Sequence, residues 1–120
     1  MTLDRRGWMA VPLLALGIGC GIAPKSFRKV ADPAPIVRAR SVSLGQRLPQ
    51  NRVLPVLIDR LEDRDPVVRL AAFEQLRKDT GQTFGYVPWA GEPDRAKAVA
   101  RWRAWWRLQQ GAPAGTRRNP

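Results

Sequence analysis

Three observations predict an all-α fold for this 120-residue chain. Apolar residues recur at helical spacing in four stretches between residues 32 and 110, and no stretch makes a convincing strand. Helix start and stop residues stand where the best of those stretches begins and ends. The length suits one small domain.

The first stretch opens with a turn of acid and proline, Asp32-Pro33-Ala34-Pro35, then Ile36-Val37-Arg38. It continues through Ala39, Ser41, Val42, Leu44 and Leu48 to Pro49. In the second, Leu54, Leu57, Ile58 and Leu61 are spaced i, i+3, i+4, i+7, which predicts an amphipathic helix over Gln50–Glu62. Pro55 belongs in its first turn or so, because a deeper proline removes a backbone bond. The third helix is Asp65–Lys78. Asp65 suits the N-cap and Pro66 suits N1, where a missing N–H costs nothing. Val68, Ala72 and Leu76 fall at i, i+4, i+8, and Ala71 and Phe73 broaden that face. Gly81 can take the left-handed conformation that ends a helix. The connection Asp63-Arg64 is so short that the second and third helices must be antiparallel neighbours. Asp59, Glu62 and Asp63 read as a solvated helix end.

Thr83–Trp89 reads as a loop carrying Phe84, Tyr86 and Trp89. Pro93 at N1, with Glu92 and Asp94 in the first turn, then opens a last helix reaching Gln110. Ala98, Val99, Trp102, Trp105 and Trp106 share one face of it, flanked by Arg101, Arg103 and Arg107. That face has two readings. It is core, closing the end of a helical stack, or it binds a membrane, a glycan or single-stranded nucleic acid. Each buried Trp hides about 150–250 Å². Three would contribute on the order of 11–19 kcal/mol gross, an upper bound. A small domain cannot readily forgo that, so core is the favoured reading. Phe84, Tyr86 and Trp89 are expected against the same helix. Tyr86 and Trp89, which have polar edges to keep in water, are the aromatic candidates for a partner contact, with Arg101, Arg103 and Arg107.

The turn of the first stretch recurs. Asp32–Arg38 reads like Asp63–Arg69, with an offset of 31 residues from Pro35 to Pro66. In both, acid and proline lead into two β-branched residues, an arginine and small residues. The segment from Leu54 to Leu76 resembles a HEAT repeat of the short bacterial type: an apolar first helix, a turn ending in Asp65-Pro66, then Val68-Arg69 and Ala71-Ala72. The upstream copy, Asp32–Gly45, is similar to the second half of such a unit alone. The resemblance implies a truncated HEAT-type solenoid, capped by the Trp-rich helix. It also implies that Asp65 and Arg69 brace the turn and the neighbouring repeat. It implies no activity.

Catalysis is hard to build here. The chain has no histidine and one cysteine, which leaves no His/Cys cluster for a transition metal. There is no Gly-rich phosphate loop. Ser26, Ser41 and Ser43 have no evident base partner. Asp65 and Arg69 stand at i, i+4, a spacing that supports an ion pair, and capping accounts for the aspartate. The expectation is a non-catalytic protein without a cofactor.

Cys20 ends an apolar run, Trp8–Leu16 followed by Gly17-Ile18-Gly19, with Arg5 and Arg6 before it. That layout fits a secretory signal. It resembles the lipobox of bacterial lipoproteins, with one departure: the family has Leu three residues before the cysteine, and here Gly17 stands there. The resemblance implies removal of residues 1–19, acylation of Cys20 and membrane attachment in the cell envelope. Otherwise Cys20 is a plain buried or free thiol. The remaining divisions are a tether over 20–31, a helical domain over 32–110 and a disordered tail over 111–120. The net charge of +11 implies attraction to anionic lipid, cell-wall polymer or nucleic acid. Two functions follow as expectations. One is a lipid-anchored scaffold with an unidentified protein partner. The alternative is a basic protein that binds nucleic acid or another anionic polymer.

Overall fold

The computed structural model describes residues 26–111. The signal-like segment 1–19, Cys20, the start of the tether and residues 112–120 of the tail lie outside the described residues. Within them the protein is all-α, with four α-helices: α1 (Pro35–Ser41), α2 (Gln50–Arg60), α3 (Pro66–Thr80) and α4 (Glu92–Gly111). Two 3-10 helices, Phe27–Ala31 and Val42–Arg47, precede and follow α1. Gly111, expected in the tail, is the last residue of α4.

α3 forms as its end signals dictate. The Asp65 carboxylate accepts from the N–H groups of Val67 and Val68, Pro66 sits at the start, and Gly81 closes the helix at φ 71°. Val68, Ala72 and Leu76 are fully buried. α2 packs against α3, and its Leu57, Ile58 and Leu61 are buried in the same core. Pro55 lies deeper than expected, in the second turn of α2. Val53 and Leu54 lie ahead of it and are buried, so starting the helix early gains core that offsets the lost backbone bond.

Part of the segment expected as a tether over 20–31 is folded. Phe27–Ala31 is a 3-10 helix whose Val30 is buried in the core, with Phe27 packed against it. Offset by 31 residues, Val30 corresponds to Leu61 and Phe27 to Ile58. This turn therefore occupies the place of the last turn of α2 in the upstream copy.

The copies share more than sequence. Arg38 Nη1 donates to the carbonyls of Asp32 and Pro33 at 2.8 and 3.0 Å. Arg69 Nη1 donates to those of Asp63 and Arg64 at 2.8 and 3.1 Å. The Asp32 carboxylate accepts from Ala34 N, and the Asp63 carboxylate from Asp65 N. Each arginine then reaches onward. Arg38 grips Asp63 with two bonds, at 2.9 and 3.0 Å, and Arg69 Nε reaches the Pro88 carbonyl at 2.8 Å. Asp63 is therefore not a solvated helix end. Both side chains of the Arg38–Asp63 pair are 5% exposed.

The second 3-10 helix packs tightly on α2. A Cβ on Gly45 would sit 2.9 Å from Val53 Cγ1 and 3.0 Å from the Phe27 ring. Gly45→Ala is therefore expected to destabilise by about 1–3 kcal/mol. A denaturant midpoint equal to the wild type would remove the packing argument.

After α3 the chain doubles back. Thr83–Tyr86 is a turn closed by Tyr86 N to Thr83 O at 3.0 Å, with positive φ at both Phe84 and Gly85. Pro88 then lies beside Arg69 at the start of α3. α4 follows, with Arg103 against Asp59 and Glu62, and Trp106 beside Pro55 and Ile58. Rising numbers on α4 meet falling numbers on α2, so the two run antiparallel.

Candidate interaction surface

The last helix divides its aromatics. Ala98, Val99 and Trp102 are fully buried, while Trp105 and Trp106 are half-buried over the same core. Phe84 stands edge-on to Trp102 with centroids 4.7 Å apart, and Trp102 stands edge-on to Trp105 at 5.8 Å. These are the geometries that aromatic quadrupoles favour. They hold Phe84 at a φ of 49°, which a bulky residue rarely adopts.

Tyr86 does not keep an edge outside. It is 3% exposed, its ring packs on Phe73, and its hydroxyl donates to the Leu61 carbonyl. Burial pushes its phenol up to about 12, and the Arg69 and Arg95 charges only partly oppose that. Tyr86 is the only tyrosine, so tyrosinate absorbance reports it alone. The titration is expected near pH 12 in the folded chain and near 10 in denaturant. The sign follows by linkage: the unfolded chain releases the proton first, so stability is intact below pH 10 and falls as pH rises towards 12. A native midpoint near 10 would show the ring exposed.

Trp89 behaves oppositely. It was expected against α4 with Phe84, yet it is 77% exposed. Its flanking backbone is gripped on both sides. Arg69 donates to the Pro88 carbonyl, and Arg95 Nη1 to the Ala90 carbonyl. Arg101 Nη1 holds the Phe84 carbonyl at 3.1 Å. Three arginines on two helices thus fix the loop while its indole stands in water. Val87 beside Pro88 is also exposed, as are Val67 and Leu70, which bracket Arg69 on α3. At about 100° per residue, Val67 and Leu70 stand about 160° and 100° around α3 from the buried Arg69, so they form a face apart from the loop.

The other candidates sort by how they are held. Asp65 and Pro66 build the start of α3. Arg69 does not pair with Asp65, because the carboxylate is taken up by capping and the guanidinium by three carbonyls. Arg103 bridges Glu62 at 2.8 Å and Asp59 at 3.4 Å. The Glu62 hydrogen bond, foremost, raises its pKa. Arg107 is exposed beside a small groove with Pro55 and Trp106. The arginine grip on the loop was missed from sequence, since only the 31-residue offset of Arg38 and Arg69 hinted at it.

Among the described residues, no cluster of His, Cys, Asp and Glu is suited to a metal, and no helix is long and apolar enough to cross a membrane. No protein-family model, curated protein or solved structure matches the chain.

Proposed function

We propose that this chain is a non-catalytic interaction module, held in the bacterial cell envelope by an acylated Cys20 and built on a truncated HEAT-type solenoid. The observation that carries the interaction reading is Trp89, exposed at 77% on a loop gripped by Arg69 and Arg95. Binding hot spots are enriched in Trp. An indole whose backbone is already fixed loses less entropy when a partner covers it. Val87, exposed two residues earlier in the same loop, would add an apolar contact, for a protein partner with a pocket that takes an indole.

The solenoid reading is supported by the arginine and aspartate contacts recurring at 31 residues, and by α1 packing beside α3. A further copy of the repeat would set its first helix parallel to α2. α4 runs antiparallel to it, so α4 closes the stack rather than extending it. The envelope reading rests on the residues before and at Cys20. For the nucleic-acid alternative, α4 offers little: Trp102 is buried, and Arg101 and Arg103 are engaged within the chain. Net charge is what remains in its favour.

Two measurements test the proposal. Cys20→Ser is expected to release the protein from the membrane fraction and end palmitate incorporation; unchanged partitioning would sink the anchor. A photo-crosslinker at Val87 in cells is expected to capture a discrete protein adduct that Trp89→Ala removes. Trp89→Ala should leave stability within about 0.5 kcal/mol, as for an exposed site. Equal capture with and without the indole would overturn the contact.

A further inference from the structure

The upstream end of the fold carries a second surface with different chemistry. A groove of about 660 Å³ lies between the two 3-10 helices, lined by Phe27, Arg28, Ser43, Leu44, Arg47 and Leu48 among others. Leu44 and Leu48 are 38% and 43% exposed. No acidic residue lines the groove, and neither Arg28 nor Arg47 has an acidic partner among the described residues. Elsewhere several described acids are paired with arginines: Asp63 with Arg38, Glu62 with Arg103, Glu74 with Arg77. The groove is thus a place where cationic and apolar groups stand together without internal neutralisation.

We infer that this groove docks on an anionic lipid surface, its guanidinium groups on headgroup phosphates and its two leucines in the boundary below. Charge complementarity is one reason, since a basic residue near such a surface adds to attraction while exposed leucines gain by burial. The length of chain is the other. Five residues separate Cys20 from Ser26, so the six steps between them reach at most about 22 Å. An acyl group on Cys20 therefore holds the Ser26–Arg28 edge within that distance of the bilayer. This second reason rests on the anchor reading; the chemistry of the groove does not.

The orientation suits the other surface. Leu48 precedes α2, and the Arg69–Pro88 contact lies beyond its far end. An 11-residue helix spans about 16 Å. With the groove on lipid, the loop that carries Trp89 is held at the opposite end of α2.

The test uses the full chain carrying Cys20→Ser, which cannot be acylated, so failed processing leaves the outcome unchanged. Arg28→Gln with Arg47→Gln is compared with Arg64→Gln and Lys97→Gln, which removes equal charge elsewhere. Residues 8–19 are common to both and cancel. On vesicles of phosphatidylglycerol and phosphatidylcholine, the groove pair is expected to lose roughly tenfold to thirtyfold in partitioning. The control pair should lose far less, and pure phosphatidylcholine should show no difference. Equal loss in both pairs would reduce the effect to bulk charge and overturn the groove. So would unchanged vesicle binding alongside lost binding to a single-stranded oligonucleotide. Arg47→Gln alone, with an unchanged melting curve, should show part of the loss and guards against a folding artefact.

Discussion

Trp102→Ala is expected to destabilise the chain by about 3–5 kcal/mol. The ring is fully buried and touches both Phe84 and Trp105 edge-on. Its removal opens a cavity that α4 cannot close without losing Arg103 from Asp59 and Glu62. Against a typical net stability of about 5–15 kcal/mol, such a loss populates unfolded chain at room temperature. Phe84 also loses the ring that holds its backbone at positive φ, so the loop should loosen with the helix. Trp102 Nε1 has no hydrogen-bond acceptor among the described residues. Trp102→Phe removes that unpaired donor and keeps most of the ring, so it should cost clearly less than alanine. Urea unfolding followed by far-UV circular dichroism measures both. An alanine variant with the wild-type midpoint would mean the helix is not part of the core.

Asp63→Ala is the second large effect, about 3–5 kcal/mol, because it leaves the Arg38 guanidinium buried without its counter-charge. The cost reaches beyond the pair. Asp63 also accepts from Asp65 N, the backbone of the residue that caps α3. Burial pushes the Asp63 carboxyl up. The Arg38 hydrogen bond, the Asp65 amide and the Arg38 and Arg60 charges outweigh that and hold it below its ordinary 3.8. A depressed folded pKa stabilises above the unfolded value. This part of the stability is therefore intact above about pH 4 and drains away as pH falls through the folded pKa. Asp63→Asn should flatten that acid limb, whereas Glu74→Gln, at an exposed pair with Arg77, should leave it in place. An acid limb unchanged in Asp63→Asn would assign the loss to other carboxylates.

α2 and α3 were legible because their signals are local. A cap, a proline, a glycine and an apolar period all act within a few residues. Asp63 was misread for the converse reason. Its partner is 25 residues away, and helix-end logic alone sends such an aspartate to water. The missing signal was in the chain all the same: sliding it by 31 residues sets Asp32 on Asp63 and Arg38 on Arg69. The same shift sets Val30 on Leu61, and would have moved the domain start back to Phe27. The loop was legible in kind but not in direction. Tyr86 and Trp89 are both amphipathic aromatics three residues apart. Which one turns inward depends on the turn at Phe84-Gly85 and on where Arg69 holds Pro88. No local pattern encodes those contacts.

On the proposed solenoid reading, the recurring arginine contact would make the fold extensible by its own rules. Arg38 needs an aspartate one repeat ahead, and Asp63 needs an arginine one repeat behind. A second copy of residues 32–62, inserted after Glu62, would meet both needs at once. The original Arg38 would find the new copy of Asp32, and the new copy of Arg38 would find Asp63. The cap of α4 and the Trp89 loop would move outward unchanged. The protein can thus be read as a ruler with one graduation. Its length, and with it the distance between the two ends of the molecule, would then be adjustable in steps of a single duplicated segment.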